Sequence, residues 1–194
     1  MPRDGDSIPD PAERSRYELM RAKHVTVPVS IPRKLRWCGG LALLAALTAP
    51  IVATLPEAVR AGYFAGNPTT TPLGAATVAL FGVGCVAAAV LGLAVLQRHL
   101  VRNPDPDESR VWTLIGTEDA LSGIAFITGA LGVLLGVGIL VTGHWGVDRV
   151  EWLIDSGIDP YLVFTSVPVT PRLTSVVSLV VAIGAFAASV YLDQ

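Results

Sequence analysis

Four apolar blocks divide this chain, and charge, proline and aromatic residues return only between them. The third block sets the scale. Residues 117–142 read TEDALSGIAFITGALGVLLGVGILVT, an acidic start followed by an uncharged run. At about 1.5 Å of rise per residue, such a run matches the roughly 30 Å hydrocarbon core of a bilayer. The pattern predicts an all-α, multi-pass membrane protein with four transmembrane helices in a compact bundle. The spans are expected at about 37–54, 73–96, 118–142 and 173–192. Residues 1–36 form an N-terminal segment, 37–194 the transmembrane domain, and 143–171 its one long loop.

Small residues recur along each span at heptad spacing. In span three they are Ala125, Gly129, Gly132, Gly136 and Gly143, with Ile139 filling the gap. Span one offers Gly39, Ala42, Ala46, Ala49 and Ala53, and span two Gly82, Cys85, Ala89 and Gly92. Span four offers Ser175, Ser178, Ala182, Ala185 and Ser189. In lipid the hydrophobic effect does not draw helices together; close backbone approach and polar bonds do. Four small-residue seams therefore predict a left-handed bundle, with Thr128, Ser175, Ser178 and Ser189 available for interhelical hydrogen bonds. A second row in span two, Gly84, Ala88 and Gly92, has the four-residue period of right-handed packing.

The connections carry their own signals. Residues 1–10 are polar and proline-broken and read as disordered. Asp10, Pro11 and Glu13 mark a helix start, and the helix runs to about His24 with an Arg14–Glu18 pair. Its apolar face (Tyr17, Leu19, Met20) is thin, so it is read as a solvated cytoplasmic helix, with docking on a partner as the alternative. Residues 25–32 alternate valine and isoleucine, but Pro28 and Pro32 exclude a central strand and leave an extended linker. Ser30 and Pro32 then start span one, with Arg33, Lys34 and Arg36 just before it. This long leader is unlike a signal peptide, so the span is expected to stay in the mature protein. Tyr63 and Phe64 suit an interfacial position in the first loop.

Span two overruns to Arg102 and stops at Asn103-Pro104. Asp105 and Pro106 can open a short amphipathic stretch lying on the membrane, its apolar side Val111, Trp112, Leu114 and Ile115, ended by Gly116. Thr117 is read as the cap of span three, with Glu118 and Asp119 at its positive dipole end. In the long loop, 145–156 has helical character with Val147, Val150 and Ile154 on one side, and Gly157 is its stop. Trp145, Trp152, Tyr161 and Phe164 give that loop the aromatic ends of a water–lipid boundary.

Composition sharpens the exclusions. The chain is 15% charged against about 25% in soluble domains, and its net charge of −2 suits no polyanion such as nucleic acid. Basic residues flank one side of the spans (Arg33, Lys34, Arg36, Arg98, Arg102, Arg110) twice as often as the other (Arg60, Arg149, Arg172), which predicts cytoplasmic termini. The span centres hold no Asp, Glu, Lys, Arg or His, which argues against an ion-coupled transporter. His99 and His144 fall at opposite ends of spans, so they do not ligate one haem, and His24 lies in the N-terminal segment. Cys38 and Cys85 differ in depth by more than about 10 Å, too far for a disulfide.

His144, Asp148, Glu151 and Asp155 share one helix face outside the membrane and are a conceivable cation set, but they read as the wet side of an interfacial helix. Asp159 before Pro160 is read as a turn starter. No catalytic, cofactor-binding or metal residue is assigned and no cofactor is expected. The expected function is a small non-enzymatic accessory or scaffolding subunit of the cell membrane, packing against another membrane protein or itself. The alternatives are transport of a small neutral solute and a membrane enzyme with its site on the outer loop.

Overall fold

Four helices long and apolar enough to cross a membrane run over Ile31–Ala53, Gly74–Arg102, Glu108–Trp145 and Pro171–Tyr191 in the computed structural model. It describes residues 16–103, 107–163 and 166–193. The polar start at 1–10, the Asp10–Pro11–Glu13 signal, the Arg14–Glu18 pair, Asp105–Pro106 and Phe164 lie outside the described residues. The elements are α1 (Arg16–His24), α2 (Ile31–Ala45), α3 (Thr48–Ala53), α4 (Glu57–Tyr63) and α5 (Gly74–Arg102). They continue as α6 (Glu108–Gly123), a π segment (Ile124–Gly129), α7 (Ala130–Val141), a 3-10 turn (Thr142–Trp145), α8 (Val147–Asp155) and α9 (Pro171–Tyr191). The spans pack together as an all-helical bundle: α2 lies against α9 and α5, and α5 against α7 and the π segment. The start of α2 and the end of α9 lie at the same end of the bundle, where Arg36 pairs with Asp193.

Span one is two helices because of Pro50. It has no N–H to give the carbonyl of Ala46, and its ring crowds that carbonyl. The chain therefore tightens at Ala46–Leu47, with Leu47 N–H bonding Leu44 O at 3.1 Å, and restarts as α3 with Pro50 in its first turn. The break ends the first seam: Gly39 and Ala42 are buried, Ala46 and Ala49 half-buried, and Ala53 exposed. The span-three seam is buried throughout, at Ala125, Gly129, Gly132, Gly136 and Gly143. Ser178, Ala182, Ala185 and Ser189 are buried likewise, with Ser175 half-buried. Bulky Phe81, Leu91, Ile127, Leu131, Val180 and Ile183 point outward.

The closest approach is between α5 and span three. A Cβ on Gly82 would lie 2.6 Å from Val133 N and 2.7 Å from Gly129 O. One on Gly136 would lie 2.6 Å from Ala75 O and 2.7 Å from Ala79 Cβ. The alternative row does not pack, since Gly84 and Ala88 are exposed and only Gly92 meets a neighbour, Leu121. Among the hydroxyls, Ser175 joins α9 to α3 through Thr48 Oγ1 at 3.0 Å and Ala49 N at 2.8 Å. Thr174, not singled out by the sequence, bonds Ala76 O on α5. Thr128 is exposed, Ser189 bonds Phe186 O within its own helix, and Ser178 Oγ is buried without a partner among the described residues.

At the far end the two loops fold into a cap. Leu73 N–H bonds Val169 O at 3.1 Å, Gly74 N–H bonds Leu162 O at 2.9 Å, and Arg172 N–H bonds Thr69 O at 3.1 Å. Tyr161 is buried beneath them against Tyr63 and Phe64, its backbone N–H accepted by Asp159, the expected turn starter. Gly157 stops α8 at φ 87°, where Gly157 N–H bonds Ile154 O and Ile158 N–H bonds Leu153 O.

The second connection departs from expectation. Gly116 does not break a helix, and Thr117 does not cap one: its hydroxyl bonds Thr113 O inside a continuous helix. A solvent-facing glycine costs a helix only about 1 kcal/mol, less than the packing of the face opposite it contributes. The helix starts at Asp107, whose side chain accepts Arg110 N–H at 3.1 Å. At 38 residues and about 1.5 Å each, span three exceeds a bilayer by several turns. Of the apolar face expected to lie on the membrane, Val111, Leu114 and Ile115 instead cover Tyr17 and Met20 of α1 and Val25 just after it, while Trp112 stays exposed. The N-terminal helix is therefore docked on its own chain rather than solvated.

Gly136→Val is expected to lower stability by about 1–3 kcal/mol through overpacking against Ala75 and Ala79. Gly84→Ala, facing open space, should leave it unchanged or raise it slightly. Thermal unfolding midpoints of the detergent-solubilised chain distinguish the two.

Candidate functional site

The docked arm leads to a group of charged residues in which Glu118 and Lys34 are closed off from solvent and Arg21 is partly exposed. On α6, residues 111, 115, 118 and 122 share the inward face, so Glu118 and Ser122 are buried with Val111 and Ile115. On α2, which begins at Ile31 rather than near Trp37, Lys34 takes an inward position beside Leu35 and Cys38. Ser30 stands at that helix start and Pro32 in its first turn, though Ser30 makes no capping bond. Glu118 and Lys34 are each 0% exposed. Thus Lys34 is not a free basic flank of span one, and Glu118 is not a solvated charge at a helix start.

Glu118 collects three side-chain donors from two elements, Tyr17 and Arg21 on α1 and Lys34 on α2. Tyr17 Oη–H donates to Oε2 at 2.6 Å. Arg21 Nε lies 2.8 Å from Oε2 and 3.0 Å from Oε1, and Arg21 Nη2 lies 2.7 Å from Oε1. Lys34 Nζ donates to Oε1 at 2.7 Å and to Ser122 Oγ at 2.9 Å. Ser122 passes its own proton back to Glu118 O at 2.7 Å, and Arg21 also reaches Val29 O in the linker. Beside them Asp119 accepts Thr26 N–H at 3.0 Å and Thr26 Oγ1–H at 2.9 Å. Arm, linker, α2 and α6 are thereby tied at one point.

Two cations surround one buried anion, so the carboxylate's desolvation is offset by charge-assisted bonds on both oxygens. Burial first, and then the bond to Glu118, raise the Tyr17 hydroxyl pKa above that of a free tyrosine. With both oxygens bonded, Glu118 has little capacity left to accept from a substrate. The arrangement is suited to holding α1 in place rather than to acid–base turnover.

The residues singled out from sequence lie elsewhere. His144 sits on the 3-10 turn and shares a 3.2 Å bond with Thr54 Oγ1. Gly146, at φ 98°, breaks the helix after it, so His144 does not continue the α8 face of Asp148, Glu151 and Asp155. Those three acids are exposed, and among the described residues no group of three or more His, Cys, Asp or Glu is placed to hold a metal. His99 ends α5 at the opposite end of the bundle from His144, and His24 stacks near Trp112. Cys38 and Cys85 are both free, the first buried.

The small-residue seam of span three that begins at Ala125 extends further toward the N-terminus. Traced backward at the same three–four spacing it meets Ser122, Glu118, Ile115 and Val111. An ionisable residue on the buried seam of an apolar helix is the signal that finds it.

Lys34→Met alone is expected to cost about 3–5 kcal/mol, because it removes one partner of a buried pair. The double variant Lys34→Met with Glu118→Leu should cost less than the sum of the single changes in chemical unfolding. Tyr17→Phe should cost about 1.5–3 kcal/mol and speed protease cleavage within α1. Because the Tyr17 pKa is raised on docking, its contribution is complete below the free value of about 10 and is lost as pH rises through the raised value. The alkaline step in α1 cleavage should therefore shrink in Tyr17→Phe.

Comparison with known proteins finds no family model, curated protein or solved structure that matches the chain.

Proposed function

We propose that this chain is a non-enzymatic integral membrane subunit, an accessory or scaffolding element that packs against another membrane protein. The supporting observation is the closed middle of the bundle. The Gly82 backbone fills the space against Gly129, Gly132 and Val133, and Gly136 does the same against Ala75 and Ala79. Bulky side chains face outward along every span. α9 is the least enclosed of the four, with 28% of its apolar window buried inside the bundle, so it offers the widest face to a neighbour. The charged node does not weaken this reading, since its groups are spent on one another at one end. Its buried charges, Lys34 and Glu118, lie near the ends of their spans, and the span centres hold no Asp, Glu, Lys, Arg or His.

In this proposal the chain resides in the cell membrane with both termini in the cytoplasm. The end where α2 begins and α9 finishes carries Arg33, Arg36, Arg98, Arg102 and Arg110 besides the neutralised Lys34, against Arg60, Arg149 and Arg172 at the cap. A second reading, passage of a small neutral solute, has one observation in its favour. The π segment Ile124–Gly129 interrupts span three within the membrane, and such segments are frequent at functional sites.

Extraction of native membranes in mild detergent, followed by affinity capture of the full chain, should yield one partner in stoichiometric amount, identified by mass spectrometry. A monodisperse, partner-free monomer overturns the proposal. Flux of a neutral solute above that of protein-free vesicles, on reconstitution of the chain alone, would favour transport instead.

A further inference from the structure

At the cap end, span three finishes at Trp145 and the chain turns at Gly146. Its φ of 98° lies in the left-handed region that glycine adopts at little cost. α8 then returns over the bundle, pinned by fully buried Val150. The turn leaves an open cavity of about 550 Å³, lined by Thr142, Trp145, Arg149, Trp152 and Leu153. Arg149, Trp152 and Leu153 stand at i, i+3 and i+4 and share a helix face; Asp148 borders it beside Trp152, and Glu151 lies on another side of α8. Arg149 forms no ion pair among the described residues, unlike Arg21, Lys34, Arg36 and Arg110. Both indoles are largely exposed, 67% for Trp145 and 61% for Trp152. Exposed indoles beside an unpaired guanidinium, at the last turn of a span, match the environment of lipid headgroups.

We propose that this cavity binds the phosphate headgroup of a membrane phospholipid. The Arg149 guanidinium presents a planar fork of donors that fits two phosphate oxygens, and it remains charged at any physiological pH. Trp145, Trp152 and Leu153 cover the glycerol and the first acyl carbons, and the span below Thr142 continues the apolar surface for the chains. A free phosphate ion meets the same guanidinium but leaves the indole and leucine walls wet, so the lipid is the better occupant. The proposal depends on the four helices being membrane spans and is independent of any protein partner.

The test uses the full chain in a neutral detergent, with lipid retention measured by native mass spectrometry. Three probes are titrated: phosphatidylglycerol, a galactosyl diacylglycerol with the same acyl chains and no phosphate, and inorganic phosphate. Phosphatidylglycerol should bind at least about tenfold more tightly than the galactolipid, and Arg149→Gln should remove that preference. Arg60→Gln, at the same end but outside the cavity, should preserve it, and Trp152→Ala should weaken both lipids. Arg149 is exposed, so a matched circular dichroism spectrum and unfolding midpoint certify the variant's fold. Equal retention of the two lipids, or a preference unchanged in Arg149→Gln, overturns the proposal. Inorganic phosphate displacing the lipid at equal concentration overturns the choice of lipid as occupant.

Discussion

The whole bundle depends on backbones being allowed to touch. In lipid, apolar side chains gain nothing by leaving their surroundings for one another, so helices stay together only where atoms approach closely or polar groups bond. Gly82 set into the groove between Gly129 and Val133, and Gly136 against Ala75 and Ala79, supply that approach. Each position has room for a hydrogen and none for a methyl group. The same constraint explains why Leu and Val crowd the outer surface.

One seam meets three environments. It runs from Val111 and Ile115, which hold α1 at one end of the bundle, through Glu118 and Ser122, to Ala125, Gly129, Gly132 and Gly136 in the middle of the apolar span. The chemistry changes at each level because the available partner changes. Outside the membrane an apolar patch finds another apolar patch and the hydrophobic effect applies. Within it only close contact holds. Between the two, where water is already excluded, a carboxylate is tolerable only with every lone pair engaged, and Tyr17, Arg21 and Lys34 engage them. The arm, the linker and two spans therefore share one electrostatic anchor, and loss of Glu118 would leave the buried Lys34 ammonium without its counter-charge.

The two ends of the molecule solve the problem of finishing a helix bundle differently. At the terminal end, span three outgrows the bilayer and an amphipathic arm covers the excess. At the other end, short helices and loop backbone bonds form a lid around Tyr161, and the surplus aromatic surface of Trp145 and Trp152 is left at the boundary.

By itself the sequence determined the fold class, the number of spans, the extent of spans two and four and most of the inward faces, but not the starts of spans one and three. Length, absence of charge and the three–four recurrence of small residues are local properties, readable without a partner. The stop at Gly157, the Asp159 turn and the extent of α5 were legible for the same reason, since backbone chemistry settles them within a few residues. Tertiary structure decided what each apolar or charged face meets. Val111, Leu114 and Ile115 have the same pattern whether they lie on lipid or under α1, and only the position of Tyr17 and Val25 chooses. Glu118 reads equally well as a helix-start charge or as a buried anion. Its role is set by Arg21 and Lys34, residues 97 and 84 positions away, and a long-range Coulomb pairing leaves no local trace in the chain.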